Sequence, residues 1–145
     1  MKITVTAIDP DEAVLVRGTS ALGWKGKFGC PLVTGDAIFI PARAYEHELR
    51  VGNSIPVETT FDEVDELLIV DDATPDGMVA LATAGDYEVT GSVTHATPQG
   101  NVSVSVRGLT FTIERKELGA VTPEVGQHLR FIVRRLVFWH VAPAR

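Results

Sequence analysis

An all-β fold of two tandem five-stranded barrels is what this sequence predicts, from repetition, alternation and the placing of turn residues. Val14–Gly18 (VLVRG), Ile38–Arg43 (IFIPAR) and Val51–Val57 (VGNSIPV) are answered in the same order by Val104–Gly108 (VSVRG), Leu109–Arg115 (LTFTIER) and Val125–Phe131 (VGQHLRF). Arg43 and Arg115 lie 72 residues apart and Gly52 and Gly126 lie 74 apart, so the spacing holds across the second and third blocks. Gly18 and Gly108 are 90 apart, which leaves roughly 18 extra residues between the first two blocks of the first copy. Repetition of this length marks a duplicated structural unit. The alternative is a single all-β sandwich or barrel domain.

The elements follow in order. Lys2–Ile8 alternates, with Ile3, Val5 and Ala7 on one face and Lys2, Thr4 and Thr6 on the other, the period of a half-buried strand. Asp9-Pro10-Asp11 predicts a turn, and Ala13–Arg17 a returning strand ended by Gly18. Residues 18–36 carry five glycines and no sustained period, which predicts a long loop or an irregular hairpin. Ala37–Pro41 is the third strand, Ala42–Leu49 a short helix, and Ser54–Val57 a further strand, with Leu67–Val70 closing the unit.

Asp71–Asp86 is rich in Ala, Thr, Asp and Gly and reads as a connection, although its apolar centre MVALA suits a short strand or helical turn. The expected division is therefore an acidic unit at 1–76, with 18–36 as an inserted Gly-rich loop, and a second unit at 77–145. Strands are expected over Tyr87–Thr94, Val102–Arg107 and Leu109–Arg115, then a bend, then a long strand region from His128 to Val141. Five strands with a helical position between the third and fourth is the arrangement of the oligonucleotide/oligosaccharide-binding (OB) barrel.

Val106–Leu118 (VRGLTFTIERKEL) and Val125–Val133 (VGQHLRFIV) resemble the third-strand region and the fourth-strand entry of the S-one type RNA-binding domain, an OB unit. In the first half, FIPARAYEHE and VGNSIPVETTFDEVDE are similar to the same two places. The resemblance implies tandem OB barrels and RNA binding. The sequence departs from that family on one strand: NVSVSV, residues 101–106, places Asn101, Ser103 and Ser105 where exposed aromatics usually stack bases.

Composition sets the outer bounds. The chain has 145 residues, 45% hydrophobic and 22% charged, and no apolar run approaches the roughly 20 residues of a membrane helix. A single cysteine, Cys30, excludes an internal disulfide and any cysteine-rich metal site, so a cytoplasmic address is expected, with no membrane partner. The net charge of −6 divides into −8 over residues 1–76 and +2 over residues 77–145. The four histidines show no paired metal spacing, and nucleophile and dinucleotide fingerprints are absent, so neither an enzyme nor a cofactor is expected.

Two groups of residues are candidates for nucleic-acid contact. With Leu129, Phe131 and Val133 inward, alternation turns His128, Arg130 and Arg134 outward, and Arg107 outward beside the serines; Arg135 would then fall on the core face, so a bulge or turn is expected at Arg134-Arg135. Trp24, Lys25 and Lys27 place cations beside a ring in the Gly-rich stretch, where Trp24 also suits hydrophobic anchoring. Single-strand binding needs a positive groove and stacking rings, and the rings are scarce here. Glu58–Asp72 supplies seven carboxylates in fifteen residues, a solvated face or a surface for a basic partner. The leading expectation is therefore a non-catalytic protein that binds single-stranded RNA or DNA, and the alternative is an acidic adaptor or inhibitor recognising a basic protein.

Overall fold

The computed structural model describes residues 2–16 and 21–142, and these form eleven strands and two short 3-10 helices. In chain order the strands are β1 (Lys2–Leu15), β2 (Leu22–Gly29), β3 (Thr34–Ile40), β4 (Ser54–Thr60), β5 (Glu63–Val70), β6 (Gly77–Ala80), β7 (Tyr87–Ala96), β8 (Val102–Val106), β9 (Leu109–Ile113), β10 (His128–Arg134) and β11 (Val137–His140). The 3-10 helices, Glu46–Glu48 and Arg115–Glu117, follow β3 and β9, the positions the OB pattern requires. No helix among the described residues is long and apolar enough to cross a membrane.

β1, β2, β3, β11 and β4 close into a five-stranded barrel, with β3–β11 parallel and the other pairings antiparallel. The second sheet runs β5-β10-β7-β8-β9, with β6 added to β7, and stays open between β5 and β9. Two barrels were expected, and the structure has one closed barrel and one open sheet of the same strand order.

The two halves exchange their last strands. β11, from the C-terminal half, completes the first barrel, and β5, from the N-terminal half, joins the second sheet through β10. Strand pairing thus crosses residue 76 in both directions. The exchange has a simple form: β4 runs on into β5 and β10 into β11, and the two paths lie antiparallel in one unbroken register from Val57↔His140 through Thr60↔Val137 and Glu63↔Arg134 to Asp65↔Ile132. At the crossing the Asp62 amide donates to the Arg134 carbonyl at 3.0 Å. Neither Phe61-Asp62 nor Arg135-Leu136 offers the Asn-Gly or Gly-X pair of a tight hairpin, and Leu136 is fully buried. The chain therefore passes straight on.

One hydrophobic cluster runs through both sheets. Phe138 of the exchanged strand sits at the centre of the first barrel, 4.7 Å from Phe28 and 6.0 Å from Phe39 between ring centroids. Phe111, 72 residues after Phe39 and on the equivalent third strand, packs edge-on to Phe131 at 6.0 Å in the second sheet. Leu129, Phe131 and Val133 point inward as alternation predicts, and at Arg134-Arg135 the chain bends, with Arg135 at φ 62°, without the register shift of a bulge.

Two local expectations are corrected. Asp9-Pro10-Asp11 does not reverse the chain: β1 continues, and its register against β2 shifts between Asp9 and Ala13, so the proline is absorbed in a bulge where its missing N–H costs no ladder bond. Residues 22–29 of the Gly-rich stretch form β2, which pairs antiparallel with β3 up to Gly29↔Thr34, so of the two alternatives the hairpin is observed and the loop is not, while residues 17–20 lie outside the described residues. Here the glycines serve close packing. A Cβ on Gly26 would run into the Ala7 carbonyl and come within 2.7 Å of the Phe39 ring.

Candidate binding surfaces

The predicted basic residues do not assemble into one face. Arg107 occupies, with Gly108, the two-residue turn between β8 and β9; both have positive φ, 46° and 97°, as a type I′ turn requires. Its side chain is thus at a sheet end and not beside the serines of β8. Arg130 is exposed on β10 but shares a hollow of about 360 Å³ with Glu66 and Glu88. Arg134 is held by Asp65 at 2.9 Å and Asp86 at 3.0 Å, and these hydrogen bonds raise its pKa further above the ordinary arginine range. The ring of His128 lies 3.2 Å from both Ser92 Oγ and the Thr74 carbonyl oxygen, and 3.7 Å from Asp76. A ring that donates from Nδ1 to Thr74 and accepts at Nε2 from Ser92 satisfies both contacts, so this side chain ties the β5–β6 connection to β7 and β10.

On the first barrel, Lys25 lies 3.5 Å from Glu12, and Lys27 lies 2.8 Å from Asp36. Trp24 is half-buried against the core, the anchoring role. These lysines border a cleft of about 640 Å³ on the β1–β2–β3 face, where OB modules commonly hold ligands. Its floor is apolar, with Ala7, Ile8, Ala37, Ile38 and Leu136, and its rim carries Asp9, Glu12, Asp36 and Asp86 against Lys25, Lys27 and Arg135. None of its lining residues is aromatic. The cleft therefore offers neither a net positive field for phosphates nor a ring for a base to stack on.

Asp86 is the residue sequence reasoning missed. It is 8% exposed; its carboxylate receives Arg134 Nη1 and the Arg135 amide, both at 3.0 Å, and so fixes the crossing between β10 and β11. Nothing in its local sequence signals this, because its partners are 48 and 49 residues away.

A second feature also escaped the sequence. Along the unclosed side of the second sheet, between residues 59–65 and 112–117, runs a groove of about 840 Å³ lined by Asp62, Glu63, Asp65, Glu114 and Glu117 against the single cation Lys116. Arg135 reaches Asp62 at 3.3 Å and Arg134 reaches Asp65 from behind, and Lys116 reaches Glu114 at 3.1 Å, so three of the five carboxylates are paired within the chain. A smaller hollow of about 440 Å³, lined by Val57–Thr59 and Gly108–Thr110 together with Thr112, continues along β4 and β9. Beneath, Phe61 meets Phe111 at 6.4 Å and closes the interior, leaving the backbone edges above it open. Only the carboxylate run was visible in the sequence; Glu114 and Glu117 join it because β9 ends opposite the start of β5.

Among the described residues, no three His, Cys, Asp or Glu side chains are grouped to hold a metal ion. No family model matches this chain, and neither does any curated protein or solved structure.

Proposed function

We propose that the protein is a non-catalytic binding module for a basic polypeptide partner, held at the acidic groove between β5 and β9. The observation that carries this reading is the disposition of charge. Lys25 and Lys27 are matched by Glu12 and Asp36, whereas the groove is lined by five carboxylates against Lys116, with Arg134 and Arg135 reaching two of them from behind, and stays net negative. A net charge of −6 adds a long-range field that draws cations and repels polyanions. An acidic surface of this kind favours fast, salt-sensitive association with a basic partner.

Nucleic-acid binding is the competing reading. It rests on the resemblance of Val106–Leu118 and Val125–Val133 to the S-one type domain, and on Arg107 and Arg130, both exposed. The charge-balanced, ring-free cleft on the first barrel weighs against it.

Fluorescence anisotropy with a labelled oligolysine and a labelled oligouridylate separates the two. Binding of oligolysine that weakens as salt rises, with no binding of the RNA at low salt, is expected. RNA binding that is lost when Arg107 and Arg130 are both replaced by Ala would reverse the assignment.

A further inference from the structure

Ser92 of β7, His128 at the start of β10 and Asp76 in the β5–β6 connection meet as a nucleophile, its base and a carboxylate behind the base. The Ser92 hydroxyl lies 3.2 Å from His128 Nε2, and the Thr74 carbonyl oxygen lies 3.2 Å from Nδ1 across the ring. A carbonyl oxygen can only accept, so in the neutral ring Nδ1 carries the proton and Nε2 turns its lone pair to the serine. That is the tautomer in which a histidine acts as base to a hydroxyl. Asp76 Oδ1 stands 3.7 Å from Nδ1; it is buried and has no hydrogen-bond partner. A carboxylate held there stabilises an imidazolium as it forms. Such a constellation is recognised by geometry and not by sequence order, and the order here, Asp76, Ser92, His128, carries no motif.

The three side chains sit on the outer face of the second sheet. Val89 and Val93 of β7 and Leu129 of β10 point into the core, so alternation turns Ser92 and His128 outward. Opposite Ser92 on β8 is Ser105, and opposite Ser105 on β9 is Thr110. Small hydroxyl side chains therefore flank the serine on that side, and no bulky group of this row stands over it. The His128 and Asp76 side chains keep 17% and 26% of their surface exposed, enough for a small reagent to arrive from solvent.

Ser92 is paired on both sides, with Ser105 and with His128, so the N–H groups of its strand lie in the plane of the sheet and are not aimed at the space above its hydroxyl. The strand thus builds no oxyanion hole, a device of which one donor supplies about 10²–10³ in rate. Attack at this serine requires an electrophile whose leaving group departs readily by itself.

We infer that Ser92 is a covalent acceptor site for an activated acyl ester, with His128 as the base and Asp76 as the carboxylate that faces the imidazolium. Ser92 Oγ bonds to the acyl carbon, the bond from that carbon to the leaving oxygen breaks, and the hydroxyl proton passes to His128 Nε2 and from there to the leaving oxygen. The product is an O-acyl serine. Its hydrolysis would need the same missing oxyanion donors, so the protein is acylated once and does not turn over. The site shares no residue with the acidic groove and stands independently of the reading given to it.

Treatment of the whole protein with p-nitrophenyl acetate, followed by peptide mass mapping, tests this. Hydroxylamine cleaves an acetyl ester and spares acetyl-lysine, which separates the serine product from background. Acetylation at Ser92 is expected to be at least about tenfold faster than at Ser105, which shares the face but is bonded to no histidine. It should vanish in Ser92→Ala. His128→Ala should slow it by about 100-fold, and added imidazole should restore it, which a histidine of merely structural role would not allow. Asp76→Asn should slow it and Asp76→Glu should recover it. Near-UV circular dichroism checks that each variant is folded. Acetylation of Ser92 no faster than that of Ser105 in the native protein overturns the inference without recourse to any variant, and so does an unchanged rate in folded His128→Ala.

Discussion

Gly52 and Gly126 hold the same place in the two halves of the molecule. The Gly52 amide donates to the Val5 carbonyl at 2.8 Å while the Val5 amide donates to Asn53 at 2.9 Å; the Gly126 amide donates to Val93 and the Val93 amide to Gln127, both at 2.8 Å. Their φ angles are 92° and 95°, and each receiving strand shifts register at the same point, between Val5 and Ala7 and between Val93 and His95. The repeat is thus a repeat of backbone geometry and not only of letters.

Replacing either glycine by alanine should destabilise the protein by about 1–2 kcal/mol, because only the positive φ opposes the new methyl group. No atom lies within 4 Å of a Cβ at either site, so the two effects should be alike. Gly26→Ala should cost more than either, since its Cβ meets the Ala7 carbonyl and the Phe39 ring. Urea denaturation of the three variants measures the ranking.

Strand exchange makes each half dependent on the other. Truncation after Arg135 removes Leu136, Val137 and Phe138, each fully buried. At about 1.5–3 kcal/mol for each large apolar side chain, that loss rivals the whole stability of a typical domain. Residues 1–76 and 77–145 expressed separately should show no cooperative unfolding, and expressed together should form a one-to-one complex. Two independently folded monomeric halves would contradict the exchange.

Asp86→Ala should strip the crossing of its anchor, leaving the half-buried Arg135 amide without its acceptor. A loss of roughly 1–3 kcal/mol is expected from that group. Arg130→Ala, at an exposed site on the same strand, should leave the thermal midpoint nearly unchanged.

Tyr87 gives the fold a weakness in alkali. Its phenol is 1% exposed and donates to the Asp36 carbonyl at 2.6 Å; burial, with the Asp36 charge adding to it, pushes its pKa well above the ordinary tyrosine range. A group whose pKa is raised in the folded state contributes stability that is complete below its unfolded pKa, about 10, and is lost progressively above it. The native protein should therefore lose more stability than Tyr87→Phe as pH rises past about 10. Urea midpoints for both proteins on either side of that pH provide the check.

The repeat, the strands β7, β8 and β9, the inward set Leu129, Phe131 and Val133, and the bend at Arg134-Arg135 were legible in the sequence because each is a local matter of period or turn chemistry. The continuity of β1 through Pro10 was hidden because a bulge and a turn have the same composition. β2 was hidden because glycine in a sequence signals backbone freedom, whereas at Gly23 and Gly26 the missing Cβ atoms allow close approach. The exchange of β5 and β11 leaves almost no local trace: it depends on which strand each one meets, and only the lack of a hairpin pair at Phe61-Asp62 and Arg135-Leu136 hints at it. The same limit applied to charge. Alternation placed Arg134 outward, but Asp65 and Asp86, which occupy it, are 69 and 48 residues distant.

Amide chemical-shift mapping on the whole protein during titration with oligolysine tests the acidic-groove assignment most directly. The largest changes are expected at residues 62–65 and 112–117, fading as salt is raised. Changes confined to Arg107, Arg130 and their neighbours on addition of oligouridylate, with the groove silent to oligolysine, would contradict it.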